Sequence, residues 1–241
     1  MGQYYYILMK EENKNTVVYN RDLIVNGKKE YTLAKLMEHS WWLNPMVNAI
    51  TEKIYYAEKP VQVIWMGDYA TDFIQKGETF NGLTYNDICK YHNRCWGEKS
   101  KKKAINTTEF TLNDKFLVNH TKELYIDCTK YFKTNAMKSK YDGFEWCIHP
   151  LPLLTCIGNN LGGGDYRYPT EDSTTDLVGT WAFDKISIDE QIAYVTKMLR
   201  QLKKAKLVNF MTKTANDLWQ DKIAFQIKYF NRLLKQLQNS F

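Results

Sequence analysis

The chain has 241 residues, 44% of them apolar and 15% aromatic, with a formal net charge of +6. That length suits one large domain or one domain with an appendage, and the composition excludes a globally disordered chain. No apolar run approaches the ~18–20 residues a membrane-spanning helix needs, so no membrane association is expected.

From the N-terminus, MGQYYYILMK lacks a basic n-region and a small-residue cleavage site, and Tyr6 breaks the myristoylation pattern. The β-rich runs Gln3–Met9 and Thr16–Tyr19, separated by KEENKN, predict a hairpin, and Asn26-Gly27 is a turn dipeptide. Short helices are expected over Leu33–Glu38, Pro45–Tyr56 and Asn86–Cys95. The β-branched run Val61–Met66, ending at Gly67-Asp68-Tyr69, reads as a buried strand. EKSKKKAINTT (98–108) reads as a solvated loop. Lys115–Val118 and Glu123–Cys128 read as strands flanking the turn NHTK, and Phe144–His149 and Leu177–Phe183 as further strands. Strands do not alternate regularly with helices, so the expected fold is α+β with a largely antiparallel sheet core and short helices.

After residue 185 the texture changes. Ser187-Ile-Asp-Glu190 has the form of a capping box, and no Gly or Pro occurs from 180 to 241. Ile188, Ile192, Val195, Leu199 and Leu202 recur at helical spacing, and Trp219, Ile223, Ile227, Phe230, Leu234 and Leu237 repeat the rhythm. The expected division is an α+β core over 1–185 and a basic amphipathic segment over 186–241, either a helical hairpin or one long helix. Spacing leaves open whether the second stripe packs on its own domain or across a dimer, and so leaves the oligomeric state open.

Charge follows the same division. Residues 191–241 hold ten Lys or Arg against two Asp, whereas residues 1–190 hold 23 basic and 25 acidic residues. Such a surplus cannot be neutralised by pairs four residues apart, and it favours an acidic protein, RNA or DNA as partner. Lys203, Lys204, Lys206, Lys222, Lys228, Arg232 and Lys235 are the candidate contacts.

The five cysteines are odd in number and irregularly spaced, as expected of reduced thiols in a cytoplasmic protein. Cys89, His92 and Cys95 stand three apart, like half a zinc site. The remaining half would need Cys147 and His149 at a spacing foreign to zinc fingers and ribbons, so no metal or other cofactor is expected. His120, His149, Asp68 and Asp165 fall at strand ends or turns and are the candidate catalytic groups if they converge; Cys147 beside His149 is a weaker nucleophile pair.

The stretch GNNLGGGDYRYP (158–169) packs four glycines into seven positions. Consecutive glycines turn N–H groups inward and can cradle an anion. The stretch fits neither a Walker loop, lacking Gly-Lys-Ser/Thr, nor a dinucleotide fingerprint, whose glycine spacing differs. Gly158, Asn159, Gly162, Gly163, Gly164, Asp165, Tyr166 and Arg167 are the candidate contacts to a nucleotide-like ligand, with Pro150 and Pro152 stiffening the approach.

The blocks MGQYY (1–5), KLMEHS (35–40), GDYA (67–70), LVNHTK (117–122) and HPLPLLTCIGNNLGGGDY (149–166) resemble a family of uncharacterised bacterial and phage-encoded proteins beginning Met-Gly-Gln-Tyr-Tyr. The resemblance covers about 1–185 in scattered blocks. It implies a common fold and a common polar pocket, supplies no activity, and does not reach the basic segment. Two functions are expected ahead of a third, a structural or assembly role. One is a phage- or mobile-element-associated binding protein that docks on a host protein or ribonucleoprotein, as an inhibitor of a defence system would. The other is an enzyme or sequestering protein for a nucleotide-like anion.

Overall fold

A computed structural model describes residues 4–11, 14–25, 28–30, 44–72, 74–97, 102–107, 110–138, 145–158, 177–212, 227–228 and 231. The strands are β1 (Tyr5–Glu11), β2 (Lys14–Val25), β3 (Lys28–Glu30), β4 (Val61–Gly67), β5 (Thr79–Phe80), β6 (Leu83–Thr84), β7 (Lys102–Thr107), β8 (Lys115–Asn119), β9 (Leu124–Asp127), β10 (Met137–Lys138), β11 (Glu145–Trp146), β12 (Cys156–Ile157) and β13 (Lys185–Glu190). Among the described residues the helices are α1 (Pro45–Tyr55), α2 (Tyr85–Trp96), α3 (Cys128–Asn135), α4 (Pro150–Thr155) and α5 (Gln191–Thr212).

The fold is α+β. Among the described residues nine strands form one sheet in the order β3-β2-β1-β4-β13-β8-β9, with β12 paired to β4 and β7 to β2. The β1–β2, β1–β4, β2–β3 and β4–β13 pairs are antiparallel, and β12–β4 and β2–β7 are parallel. β5–β6 and β10–β11 are separate two-stranded ribbons.

Period-two alternation assigns the two faces of the sheet. Ile7, Met9, Val63 and Trp65 enter one core with Ile50 of α1, Phe132 of α3 and Leu151 and Leu154 of α4. Tyr6, Leu8, Ile64 and Met66 enter the other with Ile88 and Cys95 of α2. The caps follow from local chemistry. Asn44 accepts from the Met46 and Val47 N–H groups at α1, and Thr84 and Asp87 form a capping box at α2.

The chain divides into two compact units, one of residues 1–113 and 117–188 and a second of 114–116 and 189–241. In the second unit Gln191 N–H donates to the Asp114 carbonyl at 3.2 Å, Lys115 pairs with Glu190 at 3.2 Å, and Tyr194 meets Phe116 edge-on.

Several elements differ from the sequence expectation. Ser187–Glu190 does not cap a helix; it lies in β13, because Ile186 and Ile188 alternate into the core while Lys185 and Ser187 face away. The helix therefore begins at Gln191 rather than 186. Residues 102–107 form β7, where pairing along β2 outweighs a charged composition, and lysines are common on such edge strands. Leu177–Phe183 is a run of tight turns, closed by Thr180 N–H to Leu177 O, Ala182 N–H to Gly179 O and Asp184 N–H to Trp181 O. Phe144 lies outside the described residues, strand character in 145–149 shrinks to β11 and an isolated bridge residue, Ile148, and PLPLLT forms α4 behind the His149 cap. Prolines are tolerated there because the first-turn N–H groups have no intrahelical partner. Cys128 opens α3 behind the Asp127 cap instead of ending a strand. The expected Leu33–Glu38 helix and Asn26-Gly27 turn lie outside the described residues. So does most of the Trp219–Leu237 run, of which Ile227, Lys228 and Asn231 are helical.

Candidate functional site

β4 ends at Gly67, and Asp68 follows in a turn tied to β1: its N–H donates to Tyr4 O at 2.9 Å, and its Oδ1 accepts from Tyr4 N–H at 3.3 Å. From α2, His92 Nε2–H donates to the Asp68 carbonyl at 2.8 Å and Trp96 Nε1–H to the Met66 carbonyl at 3.2 Å. Burial raises the Asp68 pKa, opposed by backbone N–H donors and by the charge of His92. The exposed rings of Tyr4 and Tyr69 adjoin this corner in sequence.

β12 runs parallel to β4 with Cys156 opposite Trp65 and Ile157 opposite Met66, and the next step of that register sets Gly158 abreast of Gly67. β12 thus ends, with Gly158 next, at the end of the sheet that carries Asp68 and His92. Gly158 is buried; Asn159, Gly162, Gly163, Gly164, Asp165, Tyr166 and Arg167 lie outside the described residues.

The two other candidate histidines are not part of this corner. His120 N–H donates to the Lys185 carbonyl, Lys185 pairs with Gln62, and Asp68 stands six residues beyond Gln62. At the rise of a strand that is ~20 Å along β4. His149 is 1% exposed, with Nδ1 accepting from Leu151 N–H at 3.1 Å as the cap of α4. The proton then sits on Nε2, which faces Thr51 Oγ1 at 3.5 Å, while that hydroxyl donates to Val47 O. Burial lowers its pKa to about 3, so the ring is neutral. Asp68, His120 and His149, candidates on condition that they converge, do not: one closes a strand end, one lies at the far end of the sheet, and one supports the core.

The Cys147–His149 pair fails for the same reason, since burial pushes the Cys147 thiol up to about 12 and leaves it protonated. Cys95 is buried and His92 turns toward Asp68; among the described residues no three His, Cys, Asp or Glu side chains are grouped as a metal would require.

The NHTK turn is a structural lock. Asn119 Oδ1 accepts from the Thr121 and Lys122 N–H groups at 2.9 Å, and its Nδ2 donates to Asp184 Oδ2 at 2.7 Å. Lys122 Nζ sits 3.1 Å from the same oxygen and also donates to Asn81 and to the Thr180 carbonyl. His120 Nε2 lies 2.7 Å from Ser187 Oγ. The Asp184 side chain is 6% exposed, so removing its cation strands a desolvated carboxylate. Lys122→Met is expected to cost about 2 kcal/mol by urea unfolding, less than a fully buried pair because Lys122 is partly in water. Adding Asp184→Asn should recover part of that loss.

On α5, Lys203 and Lys204 are exposed, as are Lys197 and Arg200, which stand outside the set of contacts expected from the sequence. Lys197, Arg200 and Lys204 stand at i, i+3 and i+7, one stripe ~10 Å long. Tyr194, Val195 and Leu199 are buried, and residues 191–212 contain no Asp or Glu. Lys206 lies within α5, and Lys228 is helical and exposed; Lys222, Arg232 and Lys235 are outside the described residues. No helix among the described residues is long and apolar enough to cross a membrane.

No family model matches the chain, and no curated protein or solved structure matches it.

Proposed function

We propose that this is a binding protein, encoded by a phage or mobile element, that docks its basic C-terminal segment on an anionic face of a host protein or ribonucleoprotein, as an inhibitor of a defence system would. The observation that carries this reading is the exposed Lys197–Arg200–Lys204 stripe with Lys203 beside it, on a helix without a single acid. Unopposed like charges on one helix face repel each other, and a polyanionic partner removes that cost while releasing counterions. The resemblance expected from the sequence, of residues 1–185 to bacterial and phage-encoded proteins, is the ground for choosing a host target. Affinity capture should compare the full chain with Lys197→Glu/Arg200→Glu/Lys204→Glu, scored for protein and nucleic acid. Partners retained only by the unaltered chain and released by salt support docking; equal capture by both chains refutes it.

A second reading has its own observation. β12 runs parallel to β4 and ends at Ile157, so Gly158, which opens the glycine stretch, follows at the end of the sheet that carries Asp68 and His92; the carboxyl ends of parallel strands often hold ligands. On this reading the corner binds a nucleotide-like anion, for turnover or for sequestration.

A further inference from the structure

At the opposite end of β4 a cleft of about 780 Å³ opens, bordered by Lys10, Lys53, Lys59 and Lys185, with Glu11 and Glu58 as its acids. Lys53 is paired with Glu11 at 3.2 Å. Four lysines and two glutamates border it, and Lys10 and Lys185 flank Gln62 on its floor.

The charges are placed by sheet register. Lys10 of β1 is opposite Gln62 of β4, and Gln62 is opposite Lys185 of β13. Directly opposed residues share a face, so the three side chains form a row, with the two lysines ~10 Å apart across the central strand.

The row is braced by Phe183. Its backbone is left-handed at φ 65°, which is costly for a bulky residue. It is held from both sides: its N–H donates to Val63 O at 2.9 Å, and its carbonyl accepts from Gln62 Nε2 at 2.8 Å. Lys10 Nζ lies over its ring at 5.6 Å from the centroid. Backbone strain kept in place by surrounding contacts recurs at ligand sites.

We infer that this cleft binds a phosphate monoester on a sugar- or nucleoside-sized body. A monoester carries about −1.5 to −2 at neutral pH, which suits a phosphate seated between the Lys10 and Lys185 ammonium groups. The cations are lysines, point charges suited to phosphate, with no arginine fork for a planar carboxylate among the lining residues. The volume exceeds what phosphate alone fills and falls within the range of small-molecule sites. Tyr56, 71% exposed on the wall, offers a ring face to the organic body. The site lies the length of β4 from the Asp68 corner and does not depend on the docking reading.

The test is calorimetric titration of the full chain with adenosine 5′-monophosphate, with adenosine as the uncharged control. Saturable one-site binding of the monophosphate is expected, with no heat from adenosine. Lys185→Met, at an exposed position, and Lys10→Met should each weaken binding about tenfold, since each removes a charged donor. Lys90→Met, an equal charge loss on the exposed surface of α2, should leave it unchanged. Absence of saturable binding at millimolar monophosphate overturns the inference. So does adenosine binding as well as its phosphate, or binding indifferent to both cleft substitutions.

Discussion

Urea titrations of the full chain are expected to show stability falling steadily as the pH drops below about 6.5, the ordinary value for the His149 ring. In the folded protein burial lowers that pKa to about 3, so between these values the unfolded chain binds a proton that the folded chain refuses. The contribution is therefore fully present above pH 6.5 and is lost as the pH falls toward 3. It amounts to a maximum on the order of 4–5 kcal/mol. Protonation would also destroy the cap, because Nδ1 must remain an acceptor for Leu151 N–H. His149→Asn keeps a capping oxygen but cannot titrate. Its stability should be lower at neutral pH and flatter with pH, by close to one proton across the window. A variant with the unaltered slope would remove His149 as the origin.

Gly179→Ala is expected to be the other severe substitution. Gly179 has φ +68°, and a Cβ there would stand 2.4 Å from the Cys156 backbone carbonyl and 3.2 Å from the Phe80 ring. Gly179 N–H also donates to Leu153 O at 2.9 Å, so the turn cannot withdraw without losing that bond. Backbone strain and collision together should cost roughly 3 kcal/mol or more, read as a drop in the thermal midpoint. Gly82→Ala is the control: its φ of +78° imposes the same backbone strain, but nothing lies within 4 Å, so the loss should be roughly 1 kcal/mol. Equal losses at the two positions would contradict this account. Because Cys156 begins β12, the Gly179 turn also bears on the placement of β12 beside β4.

The parts of the fold legible in the sequence are those whose signal is local. Val61–Met66 is apolar and β-branched and forms the central strand; Ile50 and Ile54 share a helical face and are buried. The misread parts are those decided by distant partners. Residues 102–107 look solvated until β2 supplies hydrogen bonds, and 177–183 looks extended until Gly179 and Phe183 take left-handed backbone. The period-two alternation of Ile186 and Ile188 is present in the sequence but competes with a capping-box pattern in the same residues. At the candidate site, Asp68 is legible as a strand-end acid. His92 is not, although His92 and Trp96 at i, i+4 mark one helix face. The Lys10–Gln62–Lys185 row is beyond reach, because it exists only through the register of three strands.

The central claim, that the basic C-terminal segment docks on an anionic partner, is tested most directly by the salt dependence of association. Binding of the full chain to a defined RNA or to purified ribosomes should weaken steeply as salt rises. Lys197→Glu/Arg200→Glu/Lys204→Glu should lower the slope of log K against log salt by about 2–3, as expected when three phosphate contacts are lost. An unchanged slope and affinity in the substituted chain would contradict the account.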